Sequence, residues 1–155
     1  MPCEMAVPDE ITIGEDMSAV FPCLCQCDSV VVHNFTPYSY RQNGESMTQT
    51  FHFDQLRRKE ALLRYLYTST PRIDNKNIDA YAFKKVYLHA MAAMKQFNAR
   101  AEYVRYMRSE VTPFLQEILD RAETPRVRKK IKFKYLLLKH RCYSSLWRIQ
   151  TLVSC

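Results

Sequence analysis

Glycine is almost missing from this chain: Gly14 and Gly44 are the only two in 155 residues, where average usage near 7% would supply about eleven. Phosphate-cradling loops, nucleophile elbows and dinucleotide-binding turns need glycine where backbone must approach a ligand or turn sharply. No G-x-G-x-x-G, Walker or G-x-S-x-G pattern can be written, so the commonest nucleotide-enzyme and hydrolase signatures are excluded. Low glycine also suits a mainly helical chain with short connections. No segment approaches eighteen consecutive apolar residues, and the acidic N-terminus lacks a basic flank before an apolar run, so neither a membrane span nor a secretory signal is expected.

Basic residues are scarce at one end and acidic residues at the other. Before residue 55 there are eight acids (Glu4, Asp9, Glu10, Glu15, Asp16, Asp28, Glu45 and Asp54) against Arg41 alone, a net of −7; the remainder carries +14. Either the acidic third folds over a basic body, or the body has an acidic partner. The length suits one domain with an ordinary core, about two-thirds of the extended chain's surface being buried on folding. With 47% hydrophobic and 25% charged residues, the chain is composed to fold as a globular protein.

Residues 1–28, with Pro2, Pro8 and Pro22 and no sustained periodicity, predict an acidic extended arm. Residues 29–53 predict a β-hairpin-like region: Val30, Val31 and Val32 read as a short buried strand, and Asn43-Gly44 supplies the positive φ of a type I′ turn. Asp54 then stands at a helix start. Helices are expected near 54–68, 78–109, 113–123 and 125–150. The second of these contains no glycine or proline and carries Phe83, Val86, Ala90, Ala93, Phe97, Val104 and Met107 at helical spacing, with Asn77 or Asp79 as its cap. Thr112-Pro113 and Thr124-Pro125 each offer a capping hydroxyl followed by proline at the first helical position. The expected fold is therefore mainly α, a single compact domain of about four helices with a small N-terminal β-hairpin or extended region.

The first candidate site is the basic run Arg126, Arg128, Lys129, Lys130, Lys132 and Lys134, continued by Lys139, Arg141 and Arg148 with no acid between Pro125 and Gln150. Interleaved with Phe133 and Tyr135, these cations could neutralise phosphates while the rings stack, and Lys-Lys-Ile-Lys resembles a short nuclear import signal. The plainer alternative is a solvated face balanced by the acidic arm. The second candidate is the thiol cluster Cys23, Cys25 and Cys27. It lacks the second ligand pair that a structural zinc site needs, so no metal is expected. Acyl chains there would give membrane attachment together with a basic surface. Reduced, buried thiols are the leading reading, and peripheral membrane contact ranks below it. His33, His52, His89 and His140 are dispersed, with no spacing that suggests a catalytic constellation or a cofactor site.

Leu138-Lys-His-Arg-Cys142-Tyr-Ser-Ser-Leu146 resembles the Leu-x3-Cys-x3-Leu spacing that substrate receptors present to elongin-type ubiquitin ligase adaptors. The resemblance covers nine residues; Leu137 stands where that family has a small or polar residue, and no Leu-Pro-x-Pro follows. It implies an adaptor-binding helix. Taken together, the sequence supports a small intracellular protein, nuclear or cytoplasmic. It is expected to be non-enzymatic and to act as a regulator or adaptor through contact with another protein, an acidic one being a fit for the basic body. Nucleic-acid binding by the basic C-terminal helix is the alternative from a different class.

Overall fold

The structure, a computed structural model, describes residues 8–12, 14–32, 51–70, 74–123 and 129–153. Among these residues the chain forms seven α-helices and no strand: α1 (Glu15–Gln26), α2 (Gln55–Ser69), α3 (Asn75–Ala93), α4 (Arg100–Glu110), α5 (Pro113–Arg121), α6 (Lys129–Lys139) and α7 (Tyr143–Val153), with a 3₁₀ turn, Met94–Gln96, after α3. The mainly helical expectation holds, but there are more helices than the expected four. The hairpin expected around Asn43-Gly44 lies outside the described residues.

The expected extended arm contains α1. Gly14 opens this helix in the left-handed region, φ 83°, where a side chain is strained. A Cβ there would also stand 2.7 Å from Cδ2 of the buried Leu62, so any larger residue would both strain the backbone and push that methyl aside. Pro22 lies inside α1, and a proline in a helix interior costs about 3 kcal/mol. The helix nevertheless forms: Ser18 and Pro22 are buried, and α1 as a whole packs against α2. The proline and the alternating cysteines hid the helix from the sequence. Beyond it, Val30, Val31 and Val32 are not a buried strand: they are non-helical and 60–86% exposed.

The long 78–109 stripe is two helices. Phe97 and Ala99 adopt extended backbone, with φ −113° and −118°, although no glycine or proline is present. The cause is packing: the Phe97 ring lies 5.8 Å from that of Phe53 and 5.2 Å from that of Tyr106. In a continuous helix His89 and Tyr106 would be about 25 Å apart, whereas the Tyr106 hydroxyl sits 2.7 Å from His89 Nε2. The break folds α4 back and lays it on α7.

The expected 125–150 helix also breaks, between Lys139 and Tyr143. Arg141 takes φ 55°, its N–H bonds to the Leu138 carbonyl at 3.0 Å, and the Cys142 N–H reaches the Leu137 carbonyl at 2.7 Å. This is a Schellman end with arginine where glycine is usual. Caps follow the sequence in part. Thr112 accepts from the Leu115 N–H with Pro113 next to it, as expected. For α3 the cap is Asp74, which accepts from the Lys76 N–H, rather than Asn77 or Asp79. Asp54 stands at the N-cap of α2, as expected, but its carboxylate accepts from Arg58 rather than from a backbone N–H of the first turn.

Helix α3 is the centre, packed on α2 and α5 through Ile78, Ala82, Phe83, Val86 and Ala90. Tyr135 of α6 stacks on Phe83 at 4.8 Å and on Tyr87 at 4.3 Å. The three central helices are also tied by one polar knot. Asp79, almost fully buried, accepts two bonds from Arg121 at 2.7 and 2.8 Å and one from the Tyr67 hydroxyl. Burial raises the Asp79 pKa, but the Arg121 and Tyr67 bonds outweigh it, so the carboxyl ends below the ordinary range.

Two stability outcomes follow from these contacts. Arg121→Met should lower unfolding free energy by about 2–3 kcal/mol, below the usual cost of breaking a buried pair because the Arg121 side chain is 44% exposed. Adding Asp79→Asn should recover part of that loss in guanidinium unfolding. Arg141→Gly should raise stability by about 0.5–1 kcal/mol, because relief of left-handed strain exceeds the loss of an exposed bond to Gln116.

Candidate functional site

The residues singled out by sequence are not brought together. Arg126 and Arg128 lie outside the described residues. Lys129 and Lys132 are exposed on α6, and Lys130 lies on the same helix. Lys134, by contrast, turns inward and donates to the Gln150 side chain on α7. Tyr135 is buried in its stack, so only Phe133, 51% exposed, remains among the lysines as an aromatic surface. Among its described residues the run therefore mixes exposed and engaged side chains.

Cys23 and Cys27 are exposed and Cys25 is half-buried, which replaces the expectation of buried thiols. The Cys27 thiol donates to the Cys23 carbonyl at 3.3 Å. Among the described residues no group of three or more His, Cys, Asp or Glu side chains is arranged to hold a metal ion. The adaptor-like segment is not one helix, since the Arg141 turn divides it. Leu138 and Leu146 are buried while Cys142 is exposed, so the three do not share a face.

A different basic surface is built by α4. Two turns of that helix place Arg100, Arg105 and Arg108 on its outer side, all exposed, because Tyr103, Met107 and Glu110 take the buried side. Arg100, Arg105 and Arg108 line a cleft of about 440 Å³ together with Ala101, Val104 and Ser144 of α7. Arg148, exposed one turn beyond Ser144, continues the face. Four other arginines have carboxylate partners, Arg57 with Glu110, Arg58 with Asp54, Arg64 with Glu60 and Arg121 with Asp79, while Arg141 bonds to the Gln116 side chain. Among the described residues, Arg100, Arg105, Arg108 and Arg148 form no ion pair. A guanidinium fork without a carboxylate is free to take a carboxylate or phosphate bidentately.

The α4–α7 contact beneath this face is aromatic. Tyr103 and Tyr143 are buried there, and neither hydroxyl has a hydrogen-bond partner among the described residues. Burial pushes the Tyr143 phenol up to about 12, with Arg141 and Arg108 pulling the other way. The arginine face is hidden in the sequence because Val104 and Met107 continue the apolar spacing of α3. The spacing of Arg100, Arg105 and Arg108 could have shown it, had α4 been read as a separate helix.

The arrangement closest to an acid–base pair is His89 with Tyr106, and it is fully engaged in structure. Tyr106 donates to the Phe53 carbonyl at 2.7 Å, so His89 Nε2 must carry the proton that it offers to the Tyr106 oxygen. Nδ1 is then an acceptor, so the Gln55 side chain, whose Oε1 stands 3.3 Å away, bonds to it only with its amide turned to present the NH2. Phe51 stacks on the ring at 5.0 Å. Burial, reinforced by the Lys59 charge, pushes His89 down to about 4. The ring is neutral at pH 7.

Comparison of the chain with protein-family models, with curated proteins and with solved structures finds no match.

A histidine whose folded pKa lies below its unfolded value contributes stability that is complete above the unfolded pKa and is lost as pH falls toward the folded one. His89 should therefore cost about 2 kcal/mol of stability between pH 7 and pH 5. Chemical unfolding at the two values should show that loss in the wild type, and His89→Phe should remove most of it.

Proposed function

We propose that the protein is a small non-enzymatic regulator or adaptor that works by protein–protein contact, with the α4–α7 arginine face as its docking surface for an acidic polypeptide segment. The observation that carries this reading is the group of arginines without carboxylate partners over a partly apolar cleft. Ala101 and Val104 give the cleft an apolar floor, and no exposed aromatic ring lines it for bases to stack on. An amphipathic acidic helix fits such a site, its apolar side meeting the floor and its carboxylates meeting the rim. Among the described residues no helix is long and apolar enough to cross a membrane. The described cysteines are free thiols, which fits an intracellular setting, nuclear or cytoplasmic.

Nucleic-acid binding through α6 is the second reading, favoured by exposed Phe133 beside Lys129 and Lys132. It is the weaker one, because Lys134 and Tyr135 are already engaged with Gln150 and Phe83.

Fluorescence anisotropy with labelled polyglutamate and with a single-stranded oligonucleotide separates the two. Arg100→Gln/Arg105→Gln/Arg108→Gln should weaken polyglutamate binding by about tenfold or more, whereas Lys129→Gln/Lys132→Gln should change it little. The reading fails if the arginine variant binds polyglutamate like wild type. It also fails if the oligonucleotide binds more tightly at physiological salt and loses affinity and salt slope only in the lysine variant.

A further inference from the structure

We propose that an acidic partner of the arginine face is a second copy of this chain, the outer stripe of α1 from one molecule docking in the Arg100–Arg105–Arg108 cleft of the next. The inference rests on the reading of that face as a site for an acidic segment. It adds the identity of the segment.

The inner side of α1 is already engaged. Ser18 and Pro22 are buried, the Tyr81 hydroxyl contacts the Met17 sulfur at 3.1 Å, and Phe21 packs against the core. The outer side carries Asp16, Val20, Cys23, Leu24 and Cys27, which recur at helical spacing and share one face. Val20 is 51% and Leu24 42% exposed, and the exposed Val30, Val31 and Val32 follow in the chain. Asp16 stands near one end of the helix and Asp28 just beyond the other, both exposed. No lysine or arginine lies on this helix. The stripe is thus apolar in the middle and acidic at its ends.

The cleft has the complementary order. Its floor is Ala101 and Val104, with Arg100 and Arg108 toward its ends and Arg105 along its edge. Asp16 and Asp28 are about 20 Å apart, ten residues of helix followed by two of non-helical chain, and Arg100 and Arg108 about 12 Å, a difference that extended arginine side chains at both ends can span. The chain's charge is divided in the same sense, −7 before residue 55 and +14 after it. Opposite charges at the two ends of a rod-in-groove contact set its position as well as its attraction.

Stripe and cleft are different patches, so the contact is head-to-tail and produces open chains or rings rather than a two-fold dimer. One short helix in a shallow groove buries less than the roughly 1,600 Å² of a standard interface, so association should be weak, on the order of 100 µM. It should strengthen at low ionic strength, where screening extends over about 30 Å at 0.01 M against about 8 Å at 0.15 M.

Sedimentation velocity on the full chain tests this with two neutral variants. One is Arg100→Gln/Arg105→Gln/Arg108→Gln, which keeps the stripe; the other is Asp16→Asn/Val20→Ser/Asp28→Asn, which keeps the cleft. Wild type should grow with concentration at low salt, each variant alone should stay monomeric, and a mixture should form a 1:1 dimer that grows no further. Alkylation supplies a second readout that needs no substitution: Cys23 and Cys27 should react more slowly as wild-type concentration rises, with Cys142 unchanged. Wild type that stays monomeric to about 1 mM, or protection absent from Cys23 and Cys27, overturns the proposal. Association that persists in the stripe variant alone does so too. If wild type is monomeric yet its arginines still bind polyglutamate, only the self-docking falls; if polyglutamate binding is also independent of the arginines, both readings fall.

Discussion

Asp79 is the constraint on which the arrangement of the central helices depends. A carboxylate almost fully removed from water near the start of α3 must be met by a fixed cation, and Arg121 at the end of α5 meets it with two bonds. Tyr67 near the end of α2 bonds to both Asp79 and Arg121, so three helix ends converge on one charge. The apolar contacts of α3 with α2 and α5 could tolerate small slides, but bidentate geometry tolerates far less. Hydrophobic burial supplies most of the stabilisation, and this knot fixes the register in which it occurs.

Two breaks decide what the surface presents. At Phe97 the chain leaves helical geometry to place a ring in an aromatic cluster, and Tyr106 then closes over His89. At Arg141 a left-handed residue turns the chain so that α7 lies against α4. The arginine face exists only because of both turns, since Arg100, Arg105 and Arg108 come from one of the redirected helices and Ser144 from the other. The Tyr103 and Tyr143 rings form the buried support beneath it.

Charge is distributed in the fold by use as well as by position. Arginines on α2 and α5 are balanced inside the molecule by Glu60, Glu110, Asp54 and Asp79, and so act as structure. Those on α4 are not, among the described residues, and with an apolar floor between them they form a surface suited to acidic, amphipathic polypeptide. The outer side of α1 has that chemistry within the same chain. The thiols that sequence alone suggested were buried stand on the same stripe.

Sequence by itself determined the fold class, the single-residue signals and the charge division. Near-absence of glycine matches a described backbone in which only Gly14 and Arg141 take positive φ. The Thr112-Pro113 start and the apolar face of α3 were readable because they depend on neighbours within a turn or two. Tertiary structure decided the rest. Nothing local breaks the chain at Phe97 or at Arg141; the first yields to aromatic packing across helices and the second to the docking of α7 on α4. Pro22 pointed away from a helix, yet α1 forms because its inner face is buried on α2. The basic run was legible as composition, but which cations remain without partners depends on where carboxylates and core rings come to lie. That is why the proposed site lies not on α6, where Lys134 and Tyr135 are engaged, but on α4, whose arginines the fold leaves unpaired among the described residues.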